Sequence, residues 1–547
     1  MSDLASLLAN FGVPALSRSL GRQLTESLEI IGQSPSATNL AAALAITRGQ
    51  DALRNTDIRA AALEYLGVGS TVEILNLQHP AAEAKLTDWF LEAAKFSWGD
   101  NTKTRAFVAA ISDRTGIPAD SLLPTPAQQT LAEESVAVST PLHAYQDRLR
   151  RDALATLRSG ASRLVAHMPT GSGKTRTTME LLIDLTRQSM SGVGVVVWLA
   201  HSEELCEQAV ESFKDMWRAK GTHEVSVLRM WGGRQIDHIP EQAFVVTSFQ
   251  TAYEMLRART DARAEQFLSL RRACTYLIVD EAHQATAPTY DDVINLLANQ
   301  NTKIIGLTAT PGRHHMGGDA TSSDELAEFF HSNRLAIASD TPNESPIPYL
   351  QRIGVLSAID SEILHYDPNL ALTDAERRAV ESLLDLPNSF LKKLADQKQR
   401  TAAILSQIQH VAIEQEHQTI VFATSKDHSD ELAMLLQLSG CEARSITSST
   451  PMGARAQSIA DYKAGAVRVL VNFGVLTTGF DAPNTTCVLI ARPTTSVVLY
   501  SQMVGRGIRG PLMGGSERCL IVDVKDNIDG MPDLPSAFSF FDSSWGN

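Results

Sequence analysis

The sequence predicts an α/β protein in which two parallel-sheet domains follow an all-helical N-terminal domain. Three observations carry this expectation. Residues 1 to about 135 are rich in Ala and Leu, and their apolar positions recur at helical spacing, as in Leu86, Trp89, Phe90, Ala93 and Ala94. From residue 164 onward, short apolar runs alternate with helical stretches, the pattern of βαβ units and a sheet covered by helices. That alternation is interrupted by a mostly helical stretch at 346–400 and then resumes. With 547 residues, the chain is also longer than one hydrophobic core usually supports.

Within residues 1–135, Gly67-Val68-Gly69, Gly99-Asp100 and Pro118 mark turns between helices. Trp89, Phe90, Phe96 and Trp98 read as core aromatics rather than as a surface patch. This accessory domain carries no chemical motif, and a protein partner is expected to dock on it. A connector with Pro118, Pro124, Pro126 and Pro141 follows. The first α/β domain, 136–345, has strand-like runs at 164–166, 193–199, 225–230, 244–247, 277–279 and 304–307. After the helical linker, 346–400, the second α/β domain, 401–525, has runs at 419–422, 442–445, 467–471, 486–490 and 519–522. Residues 526–547 read as a C-terminal tail, either a short docking segment or partly disordered.

Composition narrows the class. Hydrophobic residues make up 44% and charged residues 20%, as in an ordinary globular protein. A formal net charge of -14 excludes a generally basic, nucleic-acid-coating protein but leaves room for a local basic groove. The five cysteines form no CxxC pair, which argues against a disulfide framework or a cysteine zinc site and fits a reducing cytoplasm. No signal peptide is expected at the N-terminus, and the longest apolar run, 193–200, is too short to cross a bilayer, so no membrane partner is expected. His314-His315 reads as a solvated pair rather than a metal site.

The chemistry starts at Ala166-His167-Met168-Pro169-Thr170-Gly171-Ser172-Gly173-Lys174-Thr175. A glycine-rich turn between a strand and a helix presents backbone N–H groups at the positive end of the helix, which makes a cradle for polyphosphate. Lys174 is placed to reach the β- and γ-phosphates, and the Thr175 hydroxyl to hold Mg²⁺. Met168 stands where the usual pattern has its first glycine. A second signal is Leu277-Ile278-Val279-Asp280-Glu281-Ala282-His283, an apolar strand ending in two carboxylates. Ligand groups of open parallel sheets collect at such strand ends. Asp280 suits Mg²⁺, and Glu281 suits orienting or deprotonating an attacking water.

In this order, Gly-Ser-Gly-Lys-Thr, Asp280-Glu281-Ala282-His283 and Thr308-Ala309-Thr310 resemble the first motor domain of superfamily 2 helicases. In the second half, 419–425 resembles motif IV, Thr477-Thr478-Gly479-Phe480-Asp481-Ala482-Pro483 motif V, and Gln502-Met503-Val504-Gly505-Arg506-Gly507-Ile508-Arg509 motif VI. The resemblance spans about 140–525 and implies two RecA-like motor domains that use ATP and Mg²⁺. It gives Gln502, Arg506 and Arg509 catalytic roles beside Lys174 and Glu281. It places Gln146, Thr170, Gly171, Ser172, Gly173, Gly479 and Asp481 around the nucleotide. It also makes His201, Gly232, Thr247, Gln250, His283, Thr308, Thr310, Thr424, Thr477 and Thr478 candidates for strand contact or for coupling to it. Leu142-His143-Ala144-Tyr145-Gln146 is similar to the element that brings a glutamine to adenine, with His143 and Ala144 in place of the usual Arg and Pro.

The wording of these motifs is most similar to the restriction-type branch, which includes type I and III restriction motors, RadD-like repair helicases and phage-defence helicases. The resemblance therefore implies an ATP-driven DNA helicase or translocase, with DNA favoured over RNA. The alternatives are a DNA-gated ATPase that serves as sensor or platform for an effector, and an RNA helicase. The four-cysteine module of RadD-like relatives and a nuclease motif are both missing from the chain. All motor motifs lie beyond residue 140, so removing residues 1–130 is expected to leave hydrolysis in place.

Overall fold

The computed structural model describes residues 3–80, 85–99, 101–119, 122, 141–188, 194–201, 203–232, 234, 236, 238–258, 262–309, 321–341, 344–368, 370–383, 385–476, 482–494 and 496–526. Its α/β portion is built on two parallel sheets. The first contains β1 (Arg163–His167), β2 (Val195–Ala200), β3 (Ser226–Met230), β4 (Ala243–Ser248), β5 (Cys274–Asp280), β6 (Lys303–Thr308) and β7 (Arg334–Ala336). Across the sheet the order is β3-β4-β2-β5-β6-β1-β7, and every pairing is parallel. β2 and β4 are buried along their whole length, as expected of continuous Val/Ile/Leu runs covered on both faces.

Function follows from the adjacency of β5, β6 and β1. The register pairs Asp280 with Leu307 and His167 with Thr308, so three neighbouring strands end at one edge. Their exits bring together the phosphate loop, the carboxylate pair and the Thr308-Ala309 turn.

The second sheet contains β8 (Ala358–Tyr366), β9 (Thr419–Phe422), β10 (Ala443–Ile446), β11 (Val469–Asn472), β12 (Cys487–Ile490) and β13 (Arg518–Asp526), in the order β10-β11-β9-β12-β13-β8. β8 lies inside the stretch expected to be a helical linker. Its nine residues pair in parallel with β13 at the sheet edge. The reason is its position: an edge strand keeps one side wet, so Asp360, Glu362 and His365 interrupt the apolar run that marks the central strands.

The two faces of this sheet serve different neighbours, because alternate residues of a strand point to opposite sides. Ile420, Phe422, Val488 and Ile490 belong to a hydrophobic core continuous with the first domain. Val421, Cys487 and Leu489 belong to a core shared with the N-terminal helices.

Among the described residues, the N-terminal block has eight α-helices between Asp3 and Thr115. Ser36, Asn55 and Asn101 cap three of them by accepting backbone N–H bonds. Of the four aromatic residues expected in the core, Phe90 lies in it and Trp89, Phe96 and Trp98 are partly buried against it. Phe90 is buried, Phe96 and Trp98 pack edge-on against the buried Phe107, and the Arg59 guanidinium lies 4.9 Å over the Phe96 ring.

This block is fastened to the second sheet. Leu16, Leu20, Leu40 and Leu44 share one core with Leu432, Leu435 and Leu436 of the helix Lys426–Leu438. At the same seam Glu431 accepts hydrogen bonds from Gln23 Nε2 at 3.1 Å and from Ser27 Oγ. Lys398 pairs with Glu29 at 3.2 Å and with Glu26 at 3.4 Å. Deleting residues 1–130 uncovers this face, so the expectation that hydrolysis survives the deletion gives way to an expected folding defect. No described helix is long and apolar enough to cross a membrane.

Candidate active site

The phosphate loop leaves β1 at Met168 and enters the helix Lys174–Gln188. Gly171 and Gly173 have φ of +94° and +85°, a region that favours glycine, and both are approached closely. A Cβ on Gly171 would lie 2.7 Å from Arg509 Nη1, and one on Gly173 2.3 Å from Gln146 Nε2. The Ser172 carbonyl is fixed from behind by Tyr145 Oη at 2.7 Å and Gln146 Nε2 at 2.9 Å, while Ser172 Oγ donates to Pro169 O at 2.7 Å. The other end of the Gln146 amide is also engaged, because Oε1 accepts from the His143 N–H at 2.9 Å. Gln146 is thus fully buried behind the loop, acting as a brace and a helix cap.

Lys174 Nζ lies 3.4 Å from Met168 O. Burial lowers its pKa, and the Glu281 and Asp280 carboxylates oppose that effect. Asp280 ends β5 and accepts the Glu281 N–H at 3.0 Å. Burial, reinforced by the neighbouring Glu281 charge, pushes the Asp280 carboxyl up. Burial alone would raise Glu281 as well, but His283 and Lys174 outweigh it and hold Glu281 down. The two carboxyls therefore differ sharply in proton affinity although they are adjacent in sequence. Glu281 has φ +52° and ψ 51°, left-handed backbone that costs a non-glycine residue roughly 1 kcal/mol. That turn stops the strand and lets His283 follow in a short 3-10 turn, with its Nδ1 3.4 Å from both Glu281 Oε2 and Thr308 Oγ1.

The second domain closes the site. Gln502 and Arg506 are buried at the end of the helix Val497–Val504, where Arg506 Nε donates to Gln502 O at 3.2 Å. The charges of Arg506 and Arg509 are felt at Lys174, and that of Arg506 at Glu281. A Cβ on Gly505 would lie 2.3 Å from Thr170 Cγ2, so only glycine allows this approach. The arginine loop is backed by chain from the linker. Leu356 pairs with Arg509 in an antiparallel bridge, the Gly510 N–H donates to Val355 O at 2.9 Å, and Ser357 Oγ donates to Arg509 O at 2.7 Å.

The residues expected to meet a strand divide into groups. His201 and Gln250 are exposed; His201 Nδ1 is 2.6 Å from Tyr290 Oη, and Gln250 donates to Glu254. Gly232 sits in a positive-φ turn beside Arg234 and Glu203. Thr247 and Thr424 are fully buried, with their hydroxyls donating to Met230 O at 2.7 Å and Ala491 O at 3.1 Å, so neither presents a surface to a strand. Thr310, Thr477, Thr478, Gly479 and Asp481 lie outside the described residues. Sequence reasoning missed Tyr145, Ser357 and Arg400. Arg400 makes a fully buried bidentate pair with Asp526 and also donates to Thr424 Oγ1. Only Tyr145 had a local signal, its place beside Gln146.

A model of the type III restriction enzyme, res subunit, matches residues 139–313, and one of the helicase conserved C-terminal domain matches 400–510. The chain belongs to the restriction-type superfamily 2 helicases. This helicase is 27% identical over 392 residues to a protein of Saccharomyces cerevisiae named "Putative ATP-dependent helicase IRC3"; the match covers 70% of this chain and 51% of that one. It is 25% identical over 390 residues to the 51.5 kDa protein of a Lactococcus phage (isolate 7-9), covering 69% of each. A solved structure, the ATP-dependent Type ISP restriction-modification enzyme LlaBIII bound to DNA, overlays with a TM-score of 0.49 at 15% identity, covering 75% of this chain and 30% of that one. The helicase spans about half the length of its yeast relative. The helicase domains imply use of ATP.

Proposed function

We propose that this chain is an ATP-driven DNA helicase or translocase serving DNA restriction, phage defence or repair in the cytoplasm. The observation that carries the reading is the approach of Arg506 and Arg509, from the second sheet, to the phosphate loop of the first. In this reading the amides of Gly171, Ser172 and Gly173 cradle the phosphates, and Lys174 pairs with the β- and γ-oxygens. Asp280 and the Thr175 hydroxyl hold Mg²⁺. The donor set suits a hard dication, since the buried Asp280 carboxyl and the partly buried Glu281 carboxyl offer oxygen ligands at one strand end. When bound, Mg²⁺ neutralises charge on the phosphate oxygens.

Glu281 orients the attacking water and takes its proton. Its buried Oε2 has His283 Nδ1 at 3.4 Å and no hydrogen bond among the described residues, which leaves a lone pair for that water. Arg506 and Arg509 stabilise the charge that develops on the transferring phosphoryl group, an effect typically of ~10³–10⁵ in rate. Because they arrive from the other domain, hydrolysis requires closure, and each reopening shifts one strand-holding surface against the other. The five cysteines are all buried and free, in keeping with a reducing compartment.

The test is ATP hydrolysis with single-stranded DNA, duplex DNA, RNA or no nucleic acid, run beside Glu281→Gln. DNA-stimulated turnover that is lost in the variant, together with strand displacement or displacement of a bound block, is the expected result. RNA-only stimulation transfers the reading to an RNA helicase. DNA stimulation without movement along the strand leaves a DNA-gated ATPase acting as sensor or platform. Absence of hydrolysis under every condition refutes the proposal.

A further inference from the structure

His167 is the last residue of β1, one step before the phosphate loop. It is 8% exposed and occupies a position where its strand neighbours are Leu164, Val165 and Ala166. A buried polar ring among such residues needs partners, and both of its nitrogens have one. Nε2 lies 3.1 Å from Ala309 O, and Nδ1 lies 2.8 Å from Arg334 Nη2 on β7. A guanidinium can only donate, so Nδ1 accepts and Nε2 carries the proton that it gives to Ala309. Burial and the charge of Arg334 push the imidazole down to about 3, which keeps the ring neutral in that single tautomer.

The contact completes a circuit around the site. The Met168 N–H donates to Thr308 O at 2.9 Å, and Lys174 Nζ lies 3.4 Å from Met168 O. On the far side, Thr308 Oγ1 lies 3.4 Å from His283 Nδ1, which is itself 3.4 Å from Glu281 Oε2. His167 spans the gap between the arms, because it joins the residue ahead of the phosphate loop to the residue after Thr308.

We propose that His167 is a positioning residue for hydrolysis. Through the Ala309 carbonyl it fixes the end of β6, and through Thr308 and His283 it holds the Glu281 carboxylate in register with a nucleotide seated on the phosphate loop. The inference rests on the reading of Glu281 as the group that prepares the attacking water. It contributes no contact to the nucleotide, so its effect falls on turnover and not on binding.

The experiment compares full-length His167→Leu and His167→Gln with the parent chain. His167→Leu lowers kcat for ATP about 5–10-fold, the scale of one net hydrogen bond, and changes KM by less than about twofold. His167→Gln keeps an amide N–H for Ala309 and recovers most of the loss. A kcat for His167→Leu within twofold of the parent overturns the inference, and so does a rise in KM that accounts for the whole defect. Backbone hydrogen exchange with ADP and Mg²⁺ supplies a readout that needs no turnover. In the parent chain the nucleotide slows exchange over both 164–168 and 304–309, while in His167→Leu it slows only the first segment. Equal slowing of both segments in the variant overturns the inference even if the chain proves not to hydrolyse ATP, a result that would refute the proposed function separately.

Discussion

The seam between the helical block and the second sheet makes stability depend on pH through one carboxyl. Glu431 is 2% exposed and accepts bonds from Gln23 and Ser27. Burial outweighs those donors and raises it from its ordinary 4.5 to about 7, with Asp396 adding to the rise and Lys398 opposing it. A raised carboxyl keeps its proton in the folded chain at pH values where the unfolded chain has released it. Its contribution is complete below about pH 4.5 and is lost as pH climbs through about 7. That gap is worth roughly 2.5 kcal/mol between pH 5 and pH 8. In Glu431→Gln the ionisable group is gone, and the single amide oxygen accepts from only one of Ser27 and Gln23, which bond different oxygens of the carboxyl group. The variant should therefore lose less stability over the same interval and exceed the parent at pH 8 by about 1–2 kcal/mol, allowing for one buried amide hydrogen left unpaired. Urea unfolding at pH 5.5 and pH 8, followed by circular dichroism, measures this. Asp523 is also pushed up, to about 6, so only the difference between the two proteins isolates Glu431. Parallel stability curves for parent and variant refute the reasoning.

Lys174→Ala should reduce hydrolysis by at least ~10² while leaving the circular dichroism spectrum unchanged; an active, folded variant removes the phosphate-loop assignment. Arg506→Ala should lower kcat by about 10³ or more at saturating ATP, with nucleotide affinity by fluorescence titration changed less than tenfold; a loss confined to affinity contradicts a transition-state role. Arg400→Met strands the Asp526 carboxylate in the core and should cost about 3–5 kcal/mol in urea unfolding, whereas adding Asp526→Leu should recover at least half; a single-variant cost below about 1 kcal/mol rejects the buried pair as drawn. A chain starting at residue 141 should aggregate or melt at a markedly lower temperature; a monodisperse fragment with parental ATPase activity shows that the shared core is dispensable.

The strands that end in chemistry were legible in the sequence because two constraints coincide there. A central parallel strand must be a continuous apolar run, and the loop that follows must supply the glycines, carboxylates or hydroxyls that touch the ligand; residues 164–175 and 277–283 satisfy both. β8 satisfied neither, since an edge strand tolerates charges and carries no motif. The docking of the helical block was invisible for another reason: Gln23 and Glu431 are 408 residues apart, and nothing local to either marks the partner. Thr424 illustrates a third limit. A threonine after a buried strand looks the same whether its hydroxyl faces solvent or, as here, a buried arginine. His167 was hidden in an apolar run, and only its two partners, Arg334 on β7 and Ala309 just beyond β6, set it apart.

The chain that joins the two sheets does not hang free between them. Residues 354–357 are stitched to the arginine loop, through Leu512 N–H to Gly354 O at 2.9 Å and Ser357 N–H to Ile508 O at 3.3 Å, so they travel with the second body. Upstream of these residues, Asp340 and Glu344, which lie between β7 and Leu350, clasp Arg352. Any parting of Arg509 from Gly171 is carried by everything packed on the second sheet, the helical block that shares its core included. Cargo attached to that block would be carried along with each closure and reopening.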